Sequence, residues 1–81
     1  MYKVGDIVKA RVTGIEPYGI FVNLEDNYTG LIHISEIDNN YISDIASYVG
    51  IGDIIYVNII GLDEEKKHLS LSIKNINKRI I

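Results

Sequence analysis

Two ring-bearing side chains, Phe21 and His33, occur where the pattern of neighbouring residues directs them away from a core. In residues 20–24 aliphatic side chains occupy every second position, which is the period of a strand with one buried face, and Phe21 lies on the other face. His33 lies between two isoleucines in the same way. An exposed ring can stack with nucleic-acid bases, which contributes roughly 1–3 kcal/mol per base. A ring covered by a loop fits the same pattern, so alternation alone leaves both interpretations open.

The other reactive side chains do not form a catalytic or metal-binding pattern. The chain has no cysteine and two histidines, which are too few good ligands for a structural zinc site. No GxxxxGK[ST] phosphate-binding loop occurs, and Gly50-Ile51-Gly52 precedes a predicted strand instead of a helix. Ser35 follows His33 by two residues on the same strand face, which provides no base-oriented nucleophile. We therefore predict no enzymatic activity, no metal and no cofactor.

The two rings require a scaffold of strands to position them, and the sequence predicts five strands. These cover residues 7–15, 20–24, 31–35, 55–60 and 69–74. Before strand 4, apolar residues at positions 42, 45, 46 and 49 have helical spacing, and Asn39 or Asn40 is available as N-cap. The order predicts an all-β fold, a five-stranded antiparallel Greek-key barrel (OB-fold) with a short helix between strands 3 and 4. The binding face of such a barrel lies on strands 2 and 3.

Charge is distributed unevenly along the chain. The net charge of −3 argues against sequence-blind binding of a polyanion. No Lys or Arg occurs between Arg11 and Lys66, so the positive charge lies near the two ends of the sequence. A closed barrel that brings the first and last strands together would gather these charges into one patch, where Lys9 and Arg11 are expected to make flanking contacts.

Length and hydropathy predict one compact domain. The 81 residues leave no room for a second core. No run of 18 apolar residues and no N-terminal signal sequence occurs, so we expect a cytoplasmic monomer without a membrane partner.

Four ordered segments of the chain are similar to a known family. They read P-Y-G-I-F-V-N-L, T-G-L-I-H-I-S-E-I, V-G-I-G-D-I-I-Y-V and L-D-E-E-K-K-H-L-S-L-S-I-K. In this order and at this spacing they resemble the S1-type RNA-binding domain over residues 4–74. The resemblance implies an RNA-binding domain at residues 1–74, followed by a short basic C-terminal tail at residues 75–81.

The resemblance also implies which residues contact RNA. The family uses two aromatic residues around the glycine of strand 2, a histidine in strand 3, an aspartate that closes strand 4 and a basic residue that opens strand 5. Matched by position, the first four roles fall on Tyr18, Phe21, His33 and Asp63. His68 occupies the position where many members carry arginine, with Lys67 immediately before it. Either Lys67 provides the positive charge or the affinity for RNA is modest.

The function predicted in this way is the binding of single-stranded RNA by aromatic stacking. The chain is similar to small bacterial regulators that consist of one such domain and are associated with ribosomes and with stress or virulence control after transcription. The ribosome is therefore an expected partner. Two alternatives stay open. The barrel could dock onto a protein through its exposed aromatics, or it could be an RNA-binding domain from a larger exonuclease or ribosomal protein.

Overall fold

A computed structural model of the chain describes residues 1–76, which form a five-stranded closed barrel. The strands are β1 (Ile7–Glu16), β2 (Gly19–Asn23), β3 (Thr29–His33), β4 (Ile54–Asp63) and β5 (His68–Ser72). Their order around the barrel is β1-β2-β3-β5-β4. The predicted all-β OB-fold is confirmed. Most of the predicted basic tail, residues 77–81, lies outside the described residues.

The barrel core is aliphatic and follows the predicted alternation. The inward-facing residues of the five strands are fully or almost fully buried, and they are Ala10, Val12, Ile20, Val22, Ile32, Ile55, Val57, Ile59, Leu69 and Leu71. Burial of one such side chain contributes roughly 1.5–3 kcal/mol, so the alternation that creates this face fixes the register of each strand. Phe21 and His33 are consequently held on the outer face.

One pair of neighbouring strands runs parallel within the otherwise antiparallel barrel. The β3–β5 pair is parallel, and the other four pairs are antiparallel. A closed ring with an odd number of strands cannot alternate direction at every step, so one parallel pair is required. Here it forms where the long connection after β3 crosses one end of the barrel and places β4 beside β1.

The predicted short helix between strands 3 and 4 is wrong in its type and extent. Two short 3-10 turns connect β3 to β4, at Ile34–Glu36 and Ile45–Ser47. The second turn is capped by Asp44, whose carboxylate accepts a hydrogen bond from the Ala46 N–H at 3.1 Å, and not by Asn39 or Asn40. Asp44 has an extended backbone, with φ −148° and ψ 102°, which interrupts any continuous helix.

Packing against the barrel explains why apolar residues at helical spacing do not form a helix here. Ile42, Ile45 and Val49 are buried against the end of the core, as predicted, whereas Ala46 is exposed. A helix of about ten residues is marginal without tertiary support. An irregular segment buries the three large apolar side chains equally well, and it leaves Ala46 in solvent.

No helix within residues 1–76 is long and apolar enough to cross a membrane.

Candidate nucleic-acid interface

Tyr18 and Phe21 form an aromatic pair on the outer surface of the barrel. Tyr18 lies in the turn before β2 and is 50% exposed, and Phe21 is partly buried on the outer face of β2. Their ring centroids are 6.0 Å apart with an interplanar angle of 87°, an edge-to-face contact. Such contacts contribute about 0.5–1.5 kcal/mol beyond the area they bury, so each ring restrains the other. We call Tyr18, Phe21 and His33 the aromatic platform.

The strands beside β2 leave room for the Phe21 ring. Gly14 pairs with Phe21 on β1, and a Cβ atom at Gly14 would already lie 3.5 Å from the Phe21 Cβ. Leu31 pairs with Phe21 on the other side, on β3. A residue with a long side chain at position 14 would cover the ring. Glycine at this position therefore keeps the aromatic face accessible from the β1 side.

His33 ends β3 and lies directly opposite Gly19, two residues from Phe21 along the neighbouring strand. Diagonal neighbours of this kind are roughly 7–8 Å apart, which places the imidazole beside the aromatic pair. The His33 Nδ1 accepts a hydrogen bond from the Ser35 N–H at 3.1 Å and lies 2.8 Å from the Ser35 Oγ. Because Nδ1 is the acceptor, a neutral ring carries its proton on Nε2. The exposed His33 therefore presents an N–H donor to solvent.

A second group of predicted contacts lies at the other end of β3. Thr29 pairs with His68 on β5, and their Oγ1 and Nδ1 atoms are 3.4 Å apart. Asp63, at the end of β4, also pairs with His68. The Asp63 Oδ1 accepts a hydrogen bond from the Lys66 N–H at 3.1 Å. His33 follows Thr29 by four positions along β3, a distance of about 13 Å. The predicted residues therefore do not form a single cluster. They lie near the two ends of β3, and we call the outer surface between them, from His33 to Thr29, the track.

Lys67 extends away from Asp63 toward the loop between β2 and β3. Its Nζ donates a hydrogen bond to the Asp26 carbonyl at 3.4 Å and lies 5.9 Å from the centroid of the Tyr28 ring. Tyr28 in turn contacts Tyr2 edge to face, with 4.9 Å between ring centroids. Burial raises the pKa of Tyr2, which keeps this phenol neutral. The structure thus places the Lys67 charge beyond Thr29, at the far end of the track from Tyr18.

Lys9 and Arg11 lie on β1 and border the same face at its edge. Arg11 pairs with Asn23 at the end of β2, and its Nη1 donates a hydrogen bond to the Gly52 carbonyl at 3.4 Å. Lys9 precedes Arg11 by two residues, lies beyond the end of the β1–β2 pairing and pairs with Tyr56 of β4. Neither cation pairs with a residue of the aromatic platform, and their role as flanking contacts stays a prediction.

The prediction that the first and last strands are neighbours is wrong. β4 lies between β1 and β5 on one side of the barrel, and β2 and β3 lie between them on the other. The basic residues near the two ends of the sequence are therefore distributed around the barrel. Lys78 and Arg79, which were expected to join the patch, lie outside the described residues.

Three outward-facing residues of the track were missed by sequence reasoning. Thr29 precedes the predicted strand 3 at residues 31–35, and Leu31 and Ser70 were not considered as contacts. Thr29 and Leu31 share the parity of His33 on β3, and Ser70 pairs with Leu31 across the β3–β5 contact. Parity directs all three outward, but only the parallel pair places Ser70 beside Leu31. Among residues 1–76 no cluster of three or more His, Cys, Asp or Glu side chains suitable for a metal ion occurs.

The chain is similar to a described family and to several known proteins. The family model described as "S1 RNA binding domain" matches residues 2–74. The chain is 40% identical over 73 residues to General stress protein 13 of Bacillus subtilis, covering 90% of this chain and 56% of that protein. It is 36% identical over 80 residues to the small ribosomal subunit protein bS1 of Mycobacterium leprae, covering 99% of this chain and 17% of that protein. The chain therefore spans little more than half of the first relative and a small part of the second.

A solved structure from another organism is similar to this chain in fold. The a/eIF2alpha-aDim2p-rRNA complex from Pyrococcus horikoshii contains a chain that superposes with a TM-score of 0.87 at 28% sequence identity. The superposition covers 95% of this chain and 47% of the other.

Proposed function

The chain belongs to the S1 RNA-binding domain family, and from this membership we propose that it binds single-stranded RNA along the outer face of β2 and β3. The observation that supports this site most strongly is the edge-to-face pair of the exposed Tyr18 and the partly buried Phe21, with His33 beside it on the same face. Sequence-specific and unspecific single-strand binders both use aromatic rings on which successive bases stack.

The geometry of the pair determines how bases bind. Because the two rings are nearly perpendicular, one base cannot stack on both. Tyr18 and Phe21 therefore hold different bases, and the RNA backbone turns between them. The His33 Nε2–H donates a hydrogen bond to a base edge, a phosphate or a 2′-hydroxyl next to the rings. Thr29 and Ser70 add hydroxyl groups further along the track.

Charge contributes less than stacking in this proposal. The chain has a net charge of −3, and the cations that flank the track, Arg11 and Lys67, are directed to carbonyl groups of loops. We expect these side chains to contact only a few phosphates, so the electrostatic part of the affinity is small. The domain acts as a binding module and not as an enzyme.

The biological setting that we propose follows from the relatives. One is named as a general stress protein and another as a ribosomal protein. We propose that the chain acts in ribosome-associated or post-transcriptional regulation, with RNA as its ligand. Its monomeric state stays a prediction.

A comparison of single-stranded and duplex RNA tests the proposed function. We expect a labelled single strand of about 12 nucleotides to bind with micromolar affinity, and a duplex of the same sequence to bind at least about tenfold more weakly, because paired bases cannot stack on the platform. With about three phosphate contacts, the plot of log affinity against log salt concentration has a slope near −2. Equal affinity for the duplex, or a slope several times steeper, would exclude a binding mode dominated by stacking.

Replacement of His68 with arginine is expected to strengthen binding. Arginine adds a permanent charge with a planar set of donors that matches phosphate, at a position beside Thr29 on the track. We expect affinity for single-stranded RNA to rise about two- to fivefold and the salt slope to become more negative by about 0.7, the value of one phosphate contact. His68→Gln, which is uncharged, serves as the control and leaves the slope unchanged. If His68→Arg changes neither quantity, position 68 does not contact the RNA.

A further inference from the structure

A groove in the connection between β3 and β4 begins where the aromatic platform ends. It has a volume of about 420 Å³, within the range of ligand pockets, and we call it the β3–β4 groove. Ile34 and Ile42 provide its apolar lining, and Tyr41 lies on it with 91% of its surface exposed. Neither the family match nor the relatives' names assign a role to this groove.

Hydrogen bonds connect the groove to the platform. Ser35, which lines the groove, places its Oγ 2.8 Å from the His33 Nδ1. The N–H of Ile34, another lining residue, donates to the Tyr18 carbonyl at 2.8 Å. An RNA strand that passes over Tyr18 and His33 therefore reaches the groove without leaving the protein surface.

The polar side chains of the groove have the chemistry of a nucleotide site. Asn39 and Asn40 offer amide groups that both donate and accept, and Lys74 offers an ammonium group suited to a phosphate. Asp38 also lines the groove, and its carboxylate accepts hydrogen bonds from the Tyr48 hydroxyl at 3.3 Å and from the Asn40 N–H at 3.2 Å. These contacts fix the carboxylate, which can accept hydrogen bonds from the amino groups of a base.

We propose that the β3–β4 groove binds one further base of the same RNA strand, stacked on Tyr41 and contacted at its edge by the asparagine amides. This inference rests on the proposed RNA-binding function. A stacking platform tolerates any base, whereas amide and carboxylate groups distinguish one base edge from another. The groove is then the part of the surface that gives the domain a base preference.

Affinity measurements with Tyr41 variants test this site. Tyr41→Ala is expected to weaken binding of a single strand of about 12 nucleotides by about fivefold or more, and Tyr41→Phe, which keeps the stacking ring, is expected to bind like the parent protein. Because Tyr41 is almost fully exposed, the melting temperature of both variants should be unchanged. Tyr41→Ala binding with parental affinity would overturn the groove proposal.

Photo-crosslinking shows where the strand lies. Oligonucleotides that carry 5-iodouridine at one position at a time are irradiated with the full chain, and the crosslinked peptide is identified by mass spectrometry. We expect labels near one end of the strand to crosslink to Tyr41, and adjacent labels to crosslink to Tyr18 or Phe21. The absence of any crosslink at Tyr41 would overturn the proposal even if Tyr41→Ala binds weakly.

The two proposals fail in different ways. If Phe21→Ala loses affinity and Tyr41→Ala does not, the platform stands and the groove proposal is wrong. If neither variant affects binding, the proposed RNA-binding surface itself is wrong.

Discussion

Replacing Phe21 with alanine is expected to weaken the binding of single-stranded RNA about tenfold, the loss of one stacked base. Phe21 provides the ring at the centre of the outer face of β2, between Gly14 of β1 and Leu31 of β3. Alanine removes this stacking surface and also the edge-to-face partner of Tyr18, whose ring is then less restrained. Fluorescence anisotropy with a labelled oligonucleotide measures the change.

Three matched variants separate stacking from loss of apolar area. Phe21→Tyr keeps an aromatic face and is expected to bind within about twofold of the parent protein. Phe21→Leu keeps most of the apolar surface without the ring and is expected to behave like Phe21→Ala. Ile60→Ala removes a 44% exposed aliphatic side chain from β4 and should leave affinity unchanged. Parental affinity in Phe21→Leu would show that the ring does not stack with RNA.

Replacing Gly19 with alanine is expected to lower both stability and RNA affinity. A Cβ atom at position 19 would lie 2.5 Å from the Ile32 carbonyl oxygen and 3.3 Å from the His33 Cα, both of which belong to the backbone of β3. Backbone atoms cannot give way as a flexible side chain can, so β2 and β3 must separate. We expect the free energy of unfolding to fall by about 1–3 kcal/mol, and the melting temperature by about 5–20 °C.

The effect on affinity follows from the position of Gly19 within the site. It lies between Tyr18 and Phe21 in sequence and pairs with His33 across the sheet, so the displacement moves all three members of the aromatic platform. Gly14→Ala is the control, because its Cβ would meet Phe21 at 3.5 Å, an ordinary contact distance. Thermal unfolding and RNA titration of both variants measure the effect. If Gly19→Ala is as stable as Gly14→Ala, the close approach of β2 to β3 does not constrain this position.

The outward direction of Phe21 and His33 could be predicted because it depends on local alternation. Aliphatic neighbours at every second position bury one face, and a shift of one residue would expose all of them at once. The same alternation, continued from Leu31 back to Thr29, would have identified Thr29, which faces outward with His33. The roles of Tyr18 and Asp63 came from the family resemblance alone, and these residue assignments stay predictions.

The connection between β3 and β4 could not be predicted from periodicity. Its apolar residues have helical spacing, yet the end of the barrel provides burial for Ile42, Ile45 and Val49 without a regular helix. Tertiary packing decides the conformation of such a short segment, and it leaves Tyr41 exposed in a groove that no sequence pattern indicated. The position of the Lys67 side chain could not be predicted either, because it depends on the parallel pairing that brings β5 beside β3.

Titration of the isotopically labelled protein with a single-stranded oligonucleotide, followed through its backbone amide resonances, tests the central claim most directly. The β2–β3 site predicts that the largest, saturable shifts occur at residues 18–23 and 29–35, while the surface of β1 and β4 around Ile7, Asn58 and Ile60 changes little. Shifts concentrated on the β1–β4 face, or no saturable shifts at all, would contradict the assignment of RNA binding to the aromatic platform.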